Sequence, residues 1–256
     1  MVAGMNRPAV AIVGLGLVGG SLARALTAAG YRVIGHDRPR VLRQAVAARA
    51  IAVAARSVPL AVADADLVVL AASPRINRRL LAQVARAARA GLTVTDVGSV
   101  KRGICADARR RDLRSFVGGH PMAGTERSGF AASDARLFRR HPWILTPEGA
   151  PPAAVAAVSR VARLAGAKPC TMRAAEHDRT VAFVSHVPQI VAWAIDASAR
   201  GDGVSARHLD LAGPGFRDMT RLARSPRALW REILAENRDE VARALRALSR
   251  ALRRRV

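Results

Sequence analysis

The sequence predicts an α/β fold, with a parallel sheet in the N-terminal part and an all-helical C-terminal domain. Three observations carry this. Short, continuously apolar runs alternate with Ala/Arg/Leu-rich helical stretches as far as about Pro147. Strands nearly vanish after EGAPPA, residues 148–153. A glycine-rich turn follows the first apolar run directly.

The strand candidates in order are AVAIVG (9–14), YRVIGHD (31–37), DLVVLAA (66–72), TVTDV (93–97), FVGG (116–119) and PWILT (142–146). Their hydrophobicity is continuous rather than alternating. That pattern fits strands covered on both faces, hence a parallel sheet with crossover helices. Beyond the Pro-rich stretch a helix is expected over about 152–165, a short strand at 168–172, and long helices from about Ala174 onward. The expected division is therefore 1–150 and 151–256.

Half of the 256 residues are hydrophobic, enough to bury a sizeable core. The net charge of +23 suggests a nucleic-acid partner at first sight. However, lysine occurs only at Lys101 and Lys168, and the arginines are scattered over helix surfaces, as at Arg24, Arg43, Arg86 and Arg163. The runs, such as Arg253–Arg255, are short. No nucleic-acid partner is expected, while the positive field favours encounter with a small anionic substrate. Cys105 and Cys170 lack CxxC spacing, so neither a disulfide framework nor a zinc site is indicated. No signal peptide or membrane span is expected, and the predicted location is cytoplasmic.

The turn GLGLVGGS (14–21) has the G-x-G-x-x-G pattern at Gly14, Gly16 and Gly19, with Leu17 and Val18 between them. Alone it is weak. Here a strand precedes it, an amphipathic helix follows, and a second strand ends at Asp37. That order brings backbone N–H groups and a helix N-terminus to a pyrophosphate and leaves an acid for a ribose hydroxyl. The N-terminal part is thus expected to be a Rossmann-type domain. Asp37 favours NAD over NADP, because a carboxylate repels a 2′-phosphate; Arg38 is placed to stack on adenine or, as the less favoured alternative, to tolerate that phosphate. AASPR (71–75) brings Ser73 near the cofactor.

Ligands of an open parallel sheet lie outside the carboxyl ends of its strands. DVGSVK (96–101) ends one strand with Ser99 and Lys101, and GGHPMAGTE (118–126) ends the next. Gly-Gly allows close approach of backbone to ligand and Pro121 stiffens the exit. His120 is then a candidate base for a substrate hydroxyl, with Glu126 nearby in sequence.

GLGLVGGSLARAL, DVGSVK, GGHPMAGTERSGF, EHDRTVAFVSHVPQ and GPGFRDMTRLARS occur in the order seen in prephenate dehydrogenases, and the chain resembles that family from about Val10 to Val241. The resemblance implies oxidative decarboxylation of a cyclohexadienol in tyrosine biosynthesis, with NAD taking hydride from the ring carbon that bears the hydroxyl. It implies that His120 bonds the ring hydroxyl with help from Ser99. Arg221 resembles the arginine that grips the side-chain carboxylate, a task suited to its planar fork. Asp218, three residues earlier, is expected to hold Arg221 in line. Glu126 is similar to an acid of the family's ion network, and Trp230 to a tryptophan that helps close the pocket.

The long helix from about Ala174 to Ala199 contains Pro188, which removes an N–H and crowds the carbonyl of Val184, so a kink is expected there. His177 and His186 lie on opposite sides of a straight helix and do not suggest a metal pair. Many relatives read SHxPH, with the second histidine facing the substrate's side chain; here that position is Gln189. Glutamine keeps hydrogen bonding but carries no proton or charge. This opens three substrates: prephenate, arogenate and 4-amino-4-deoxyprephenate. Apolar residues on several faces of the helix (Val181, Phe183, Val184, Ile190, Trp193) suggest a homodimer interface, which the resemblance also implies.

Two other classes fit the sequence less well. A β-hydroxyacid dehydrogenase needs a catalytic lysine on a helix of the second domain, but Lys168 precedes the long helix in an expected strand. A non-catalytic NAD- or nucleic-acid-binding protein leaves the motifs around Ser99, His120, Glu126 and Arg221 without a role.

Overall fold

A computed structural model describes residues 8–125, 127–203 and 206–255. The chain divides into two compact units, 1–177 and 178–256.

The first unit carries one eight-stranded sheet in the order β3-β2-β1-β4-β5-β6-β7-β8. Its strands are β1 (Ala9–Val13), β2 (Arg32–His36), β3 (Val53–Ala54), β4 (Leu67–Leu70), β5 (Thr93–Asp96), β6 (Phe116–Pro121), β7 (Pro142–Thr146) and β8 (Lys168–Thr171). The connecting helices are α1 (Leu17–Ala28), α2 (Pro39–Ala47), α3 (Val58–Ala63), α4 (Pro74–Ala87), α5 (Arg102–Arg110) and α6 (Pro152–Leu164). Proline stands in the first turn of α2, α3, α4 and α6, where its fixed φ suits a helix start and its missing N–H costs nothing.

The apolar strands are buried on both faces, as their continuous hydrophobicity predicts. Val10 and Ile12 of β1 face one core with Leu22, Leu26, Trp143 and Val158. Ala9, Ala11 and Val13 face the other with Val68, Leu70, Leu81 and Ile104.

Two features depart from the sequence expectation. Strand β3 is only two residues long, too short for any periodicity to reveal. Strand β7 runs antiparallel to β6, with His120 opposite Ile144 and Pro121 opposite Trp143. The sheet is therefore mostly, not wholly, parallel.

The expected domain boundary at residue 150 also needs correction. β8 pairs with β7, and α6 contributes Ala154, Val158, Val161 and Ala162 to the sheet's core, so residues 151–177 belong with the first unit. Apolar helix α6 and the extra strand cover the sheet's far end, a task that composition alone does not reveal.

The chain enters the second unit through α7 (Ala174–Val181). A π-helical turn, Ala182–His186, joins it to α8 (Val187–Ser198). The interruption that Pro188 predicts takes this form: without an N–H at 188 and with crowding at the carbonyl of Val184, the helix widens by a residue instead of breaking. Then follow α9 (Pro214–Thr220), a 3₁₀ turn at Arg221–Arg224, α10 (Arg227–Glu236) and α11 (Arg238–Arg253). Ala182, Val187, Val241 and Ala244 form a small core of this unit, flanked by Ile190, Val191, Leu245 and Leu248. Asn237, fully buried between α10 and α11, donates through Nδ2 to the Asp178 carbonyl at 2.7 Å.

Phe183 and Val184 remain exposed on this unit. The run Ala174–Gly201 is, against expectation, long and apolar enough to cross a membrane by length and composition alone. Two of its buried polar side chains, His186 and Gln189, bond to Asn237 and Leu222 of the second unit.

The two cysteines give a test of this packing. Burial pushes the Cys105 thiol up to about 11, whereas Cys170 is exposed on β8. Native protein at pH 8 should therefore take up one equivalent of a thiol reagent, at Cys170, and a second only on denaturation, as read by mass spectrometry.

Candidate active site

The glycine turn sits at the C-terminal end of β1. Gly14 has φ +100, a left-handed conformation that side chains resist, and a Cβ there would lie 2.7 Å from the Ala71 carbonyl oxygen. A Cβ on Gly19 would lie 1.9 Å from the Gly14 carbonyl oxygen, so this glycine lets α1 press against the turn. Gly16 caps α1, and a Cβ there would meet nothing within 4 Å. The cap therefore opens outward, beside half-buried Leu17 and Val18.

Asp37 follows β2 and ties the turn down. Its Oδ2 accepts from the Leu15 N–H and its Oδ1 from the Arg38 N–H, both at 2.6 Å. Arg38 itself is exposed at the start of α2. On the neighbouring strand end, Ser73 caps α4 without a side-chain bond to it, and its buried hydroxyl has no hydrogen-bond partner among the described residues. Asn77 holds that loop through the Ala72 N–H at 2.9 Å. A buried hydroxyl without a partner is a cost that a bound ligand group removes.

Beyond β5 the chain builds a buried ion pair. Lys101 and Asp96 are 0% and 1% exposed and bond directly to each other. Lys101 also donates to the Gly119 carbonyl at 2.8 Å, while Asp96 Oδ1 accepts from the Gly119 N–H at 3.1 Å. Asp96 Oδ2 accepts in addition from the Gly98 N–H at 2.8 Å, which shapes the loop carrying half-buried Ser99. The β5–β6 ladder ends at Thr95 opposite Val117. The ion pair continues the connection by side chains where the backbone ladder stops. It needs glycine at 119, because a Cβ there would lie 2.5 Å from the Asp96 carbonyl oxygen.

His120 is the next residue. It lies within β6 rather than in the loop that the glycines suggested, because pairing with β7 extends the strand through Pro121. It is 7% exposed, and its Nδ1 lies 2.8 Å from Nε2 of His177. Gly14, Gly16, Gly19, Asp37, Ser73, Ser99 and His120 thus all follow or end strands at one edge of the sheet, the edge where such folds bind ligands.

In the second unit, Gln189 is fully buried on α8 and donates through Nε2 to the Leu222 carbonyl at 2.7 Å, next to Arg221. Its Oε1 has no partner among the described residues. Arg221 is exposed at the first position of the 3₁₀ turn. The expected Asp218–Arg221 contact is not formed: α9 ends at Thr220, and among the described residues no ion pair joins these two exposed side chains. Trp230 packs edge-on against His186 and Trp193, with centroids at 5.9 and 6.3 Å. Glu126 lies outside the described residues. No cluster of three or more His, Cys, Asp or Glu suited to a metal occurs among them.

Sequence reasoning passed over Asp96 and His177. Asp96 begins the DVGSVK motif, and an acid five residues before a lysine at a strand end was the available signal. His177 carried no local signal, because its contact with His120 spans 57 positions.

A glycine turn, an acid after the second strand and a histidine on the same sheet edge define a nucleotide-binding α/β domain of the dehydrogenase kind. The chain belongs to the prephenate dehydrogenase family. Residues 22–171 match the family's nucleotide-binding domain and residues 173–254 its dimerization domain. It is 35% identical, over 91% of its length, to a prephenate dehydrogenase of Bacillus subtilis, and spans 65% of that relative. Its fold resembles that of prephenate dehydrogenase from A. aeolicus, solved with hydroxyphenyl propionate and NAD+, with a TM-score of 0.89 and 32% identity over 98% of this chain and 90% of that one. It also resembles Synechocystis arogenate dehydrogenase, with a TM-score of 0.83 and 30% identity over 96% and 90%.

Removal of the buried cation tests the architecture of the edge. Lys101→Met leaves the Asp96 carboxylate buried without its counter-charge and should lower unfolding free energy by about 3–5 kcal/mol in urea titrations. Adding Asp96→Asn to that variant should restore part of the loss.

Proposed function

We propose that the protein is an NAD-dependent prephenate dehydrogenase that works as a homodimer. The observation that carries this reading is His120, held on the ligand edge of the sheet by a backbone that Asp96 and Lys101 fix at Gly119.

The residues at the strand ends fit NAD. The open cap at Gly16 and the N-terminus of α1 would receive its pyrophosphate, the unpartnered Ser73 hydroxyl would bond to it, and Asp37 would meet the ribose. NAD, when bound, accepts the hydride. His120 takes the proton of the ring hydroxyl, with Ser99 as a second hydrogen-bonding partner for that oxygen. The ring carboxylate leaves as carbon dioxide, the ring becomes aromatic, which supplies the driving force, and His120 returns its proton to the phenolic oxygen. The protein's work is then orientation and the movement of one proton to His120 and back. Arg221, with its guanidinium exposed, takes the side-chain carboxylate of the substrate in two-point fashion. Exposed Phe183 and Val184, together with the match to the family's dimerization domain, support a second copy as partner.

One observation favours a second substrate. The donor of Gln189 is committed to the Leu222 carbonyl, so what it retains is an acceptor. An acceptor suits the ammonium of arogenate better than the keto oxygen of prephenate.

Initial rates of NAD and NADP reduction with prephenate and with arogenate test the reading directly. NAD with prephenate should be turned over, and NADP poorly. Activity with arogenate alone would replace the first substrate by the second; silence with both would overturn the assignment. His120→Asn should lower kcat about 10²–10⁴-fold with little change in NAD affinity. Arg221→Ala should act mainly on substrate KM, raising it about 10- to 100-fold through the loss of charge-assisted hydrogen bonds.

A further inference from the structure

His177 is fully buried on α7, and its Nε2 lies 2.8 Å from Nδ1 of His120, with the rings at 64°. A short N···N contact between two imidazoles requires one donor and one acceptor. Two N–H groups or two lone pairs facing each other would repel, so the tautomers of the two rings are linked. Two arrangements satisfy the contact. In one, His120 donates from Nδ1 and keeps a lone pair on Nε2. In the other, His177 donates, and His120 carries its hydrogen on Nε2, where it cannot take a proton.

We propose that His177 is a positioning residue that accepts the Nδ1–H of His120 and so keeps the Nε2 of His120 unprotonated toward the substrate hydroxyl. The proposal rests on the reading of His120 as the base. Its logic is that of a base oriented by a third group, with a neutral imidazole in place of the usual carboxylate.

The arrangement also favours the reaction itself. When His120 takes the hydroxyl proton it becomes an imidazolium, and its bond to His177 becomes charge-assisted and stronger. An interaction that strengthens as the proton moves accelerates the step rather than merely binding the ground state. Rigidity on both sides keeps the contact in place. The His177 backbone N–H bonds to the Arg173 carbonyl at 2.9 Å, and Asp96 and Lys101 hold Gly119, the residue before His120.

The test combines two variants with one spectroscopic readout. His177→Ala removes the acceptor, while His177→Gln returns an amide oxygen close to the position of Nε2. On this proposal His177→Ala lowers kcat about 10- to 100-fold, leaving substrate KM and NAD affinity within about threefold, and His177→Gln recovers most of the rate. In ¹⁵N-labelled wild-type protein the His120 ring should show protonated Nδ1 and unprotonated Nε2 at neutral pH, and in His177→Ala a mixture of tautomers.

Wild-type turnover in His177→Ala would overturn the proposal. So would equal loss in both variants with parallel losses of Tm, or a wild-type His120 protonated on Nε2. His120→Asn, measured alongside, separates the two levels. If it is inactive while His177→Ala is normal, only the positioning role fails. If His120→Asn is itself active, the reading of the base fails.

Discussion

The site depends on a buried ion pair. Asp96 and Lys101 are both shut away from water, and in general such a pair is poor evidence for stability, because desolvating two charges can cost as much as their attraction returns. Its effect here is geometric. One carboxylate and one ammonium together take the N–H and the C=O of Gly119 and the N–H of Gly98. The strand that presents His120 and the loop that presents Ser99 are thereby fixed to the same two side chains. A backbone ladder cannot do this, because β5 has already ended and β6 has turned its pairing toward β7.

That change of partner explains a feature of the sequence. The Gly-Gly before the histidine suggests a flexible loop, yet both residues lie within a buried strand. At Gly118 a Cβ would meet the Thr146 hydroxyl at 2.3 Å, and at Gly119 the Asp96 carbonyl oxygen at 2.5 Å. These glycines are there because the surroundings approach so closely. The base is mounted on a packed strand, which suits a residue that must hold one orientation through turnover.

Much of the first unit was legible in the sequence. Strands covered on both faces announce themselves by continuous apolar runs, and β1, β2, β4, β5 and β7 fall where those runs lie. What was hidden has physical causes. Periodicity carries no direction, so the antiparallel course of β7 could not be seen. A two-residue strand such as β3 has no pattern to detect. The boundary near residue 150 followed a loss of strands, whereas the sheet closes with β8, which draws the preceding α6 with it. In the site, the glycine turn and His120 were legible by motif. The Asp96–Gly119 and His120–His177 contacts join positions 23 and 57 residues apart and belong to tertiary structure alone. In the second unit Pro188 announced an interruption, but not that it would be a π turn, and the Asp218–Arg221 spacing suggested a helical contact that these two exposed side chains do not make.

Asp96 and Lys101 together immobilise the backbone next to His120. Amide hydrogen exchange at Gly119, whose N–H is bonded to Asp96, reports on this most directly. In the native protein that amide should exchange only with global unfolding, and in Lys101→Met it should exchange by local opening, well above the global rate for that variant. Fast local exchange of Gly119 in the native protein, or exchange that remains tied to global unfolding in Lys101→Met, would contradict the account.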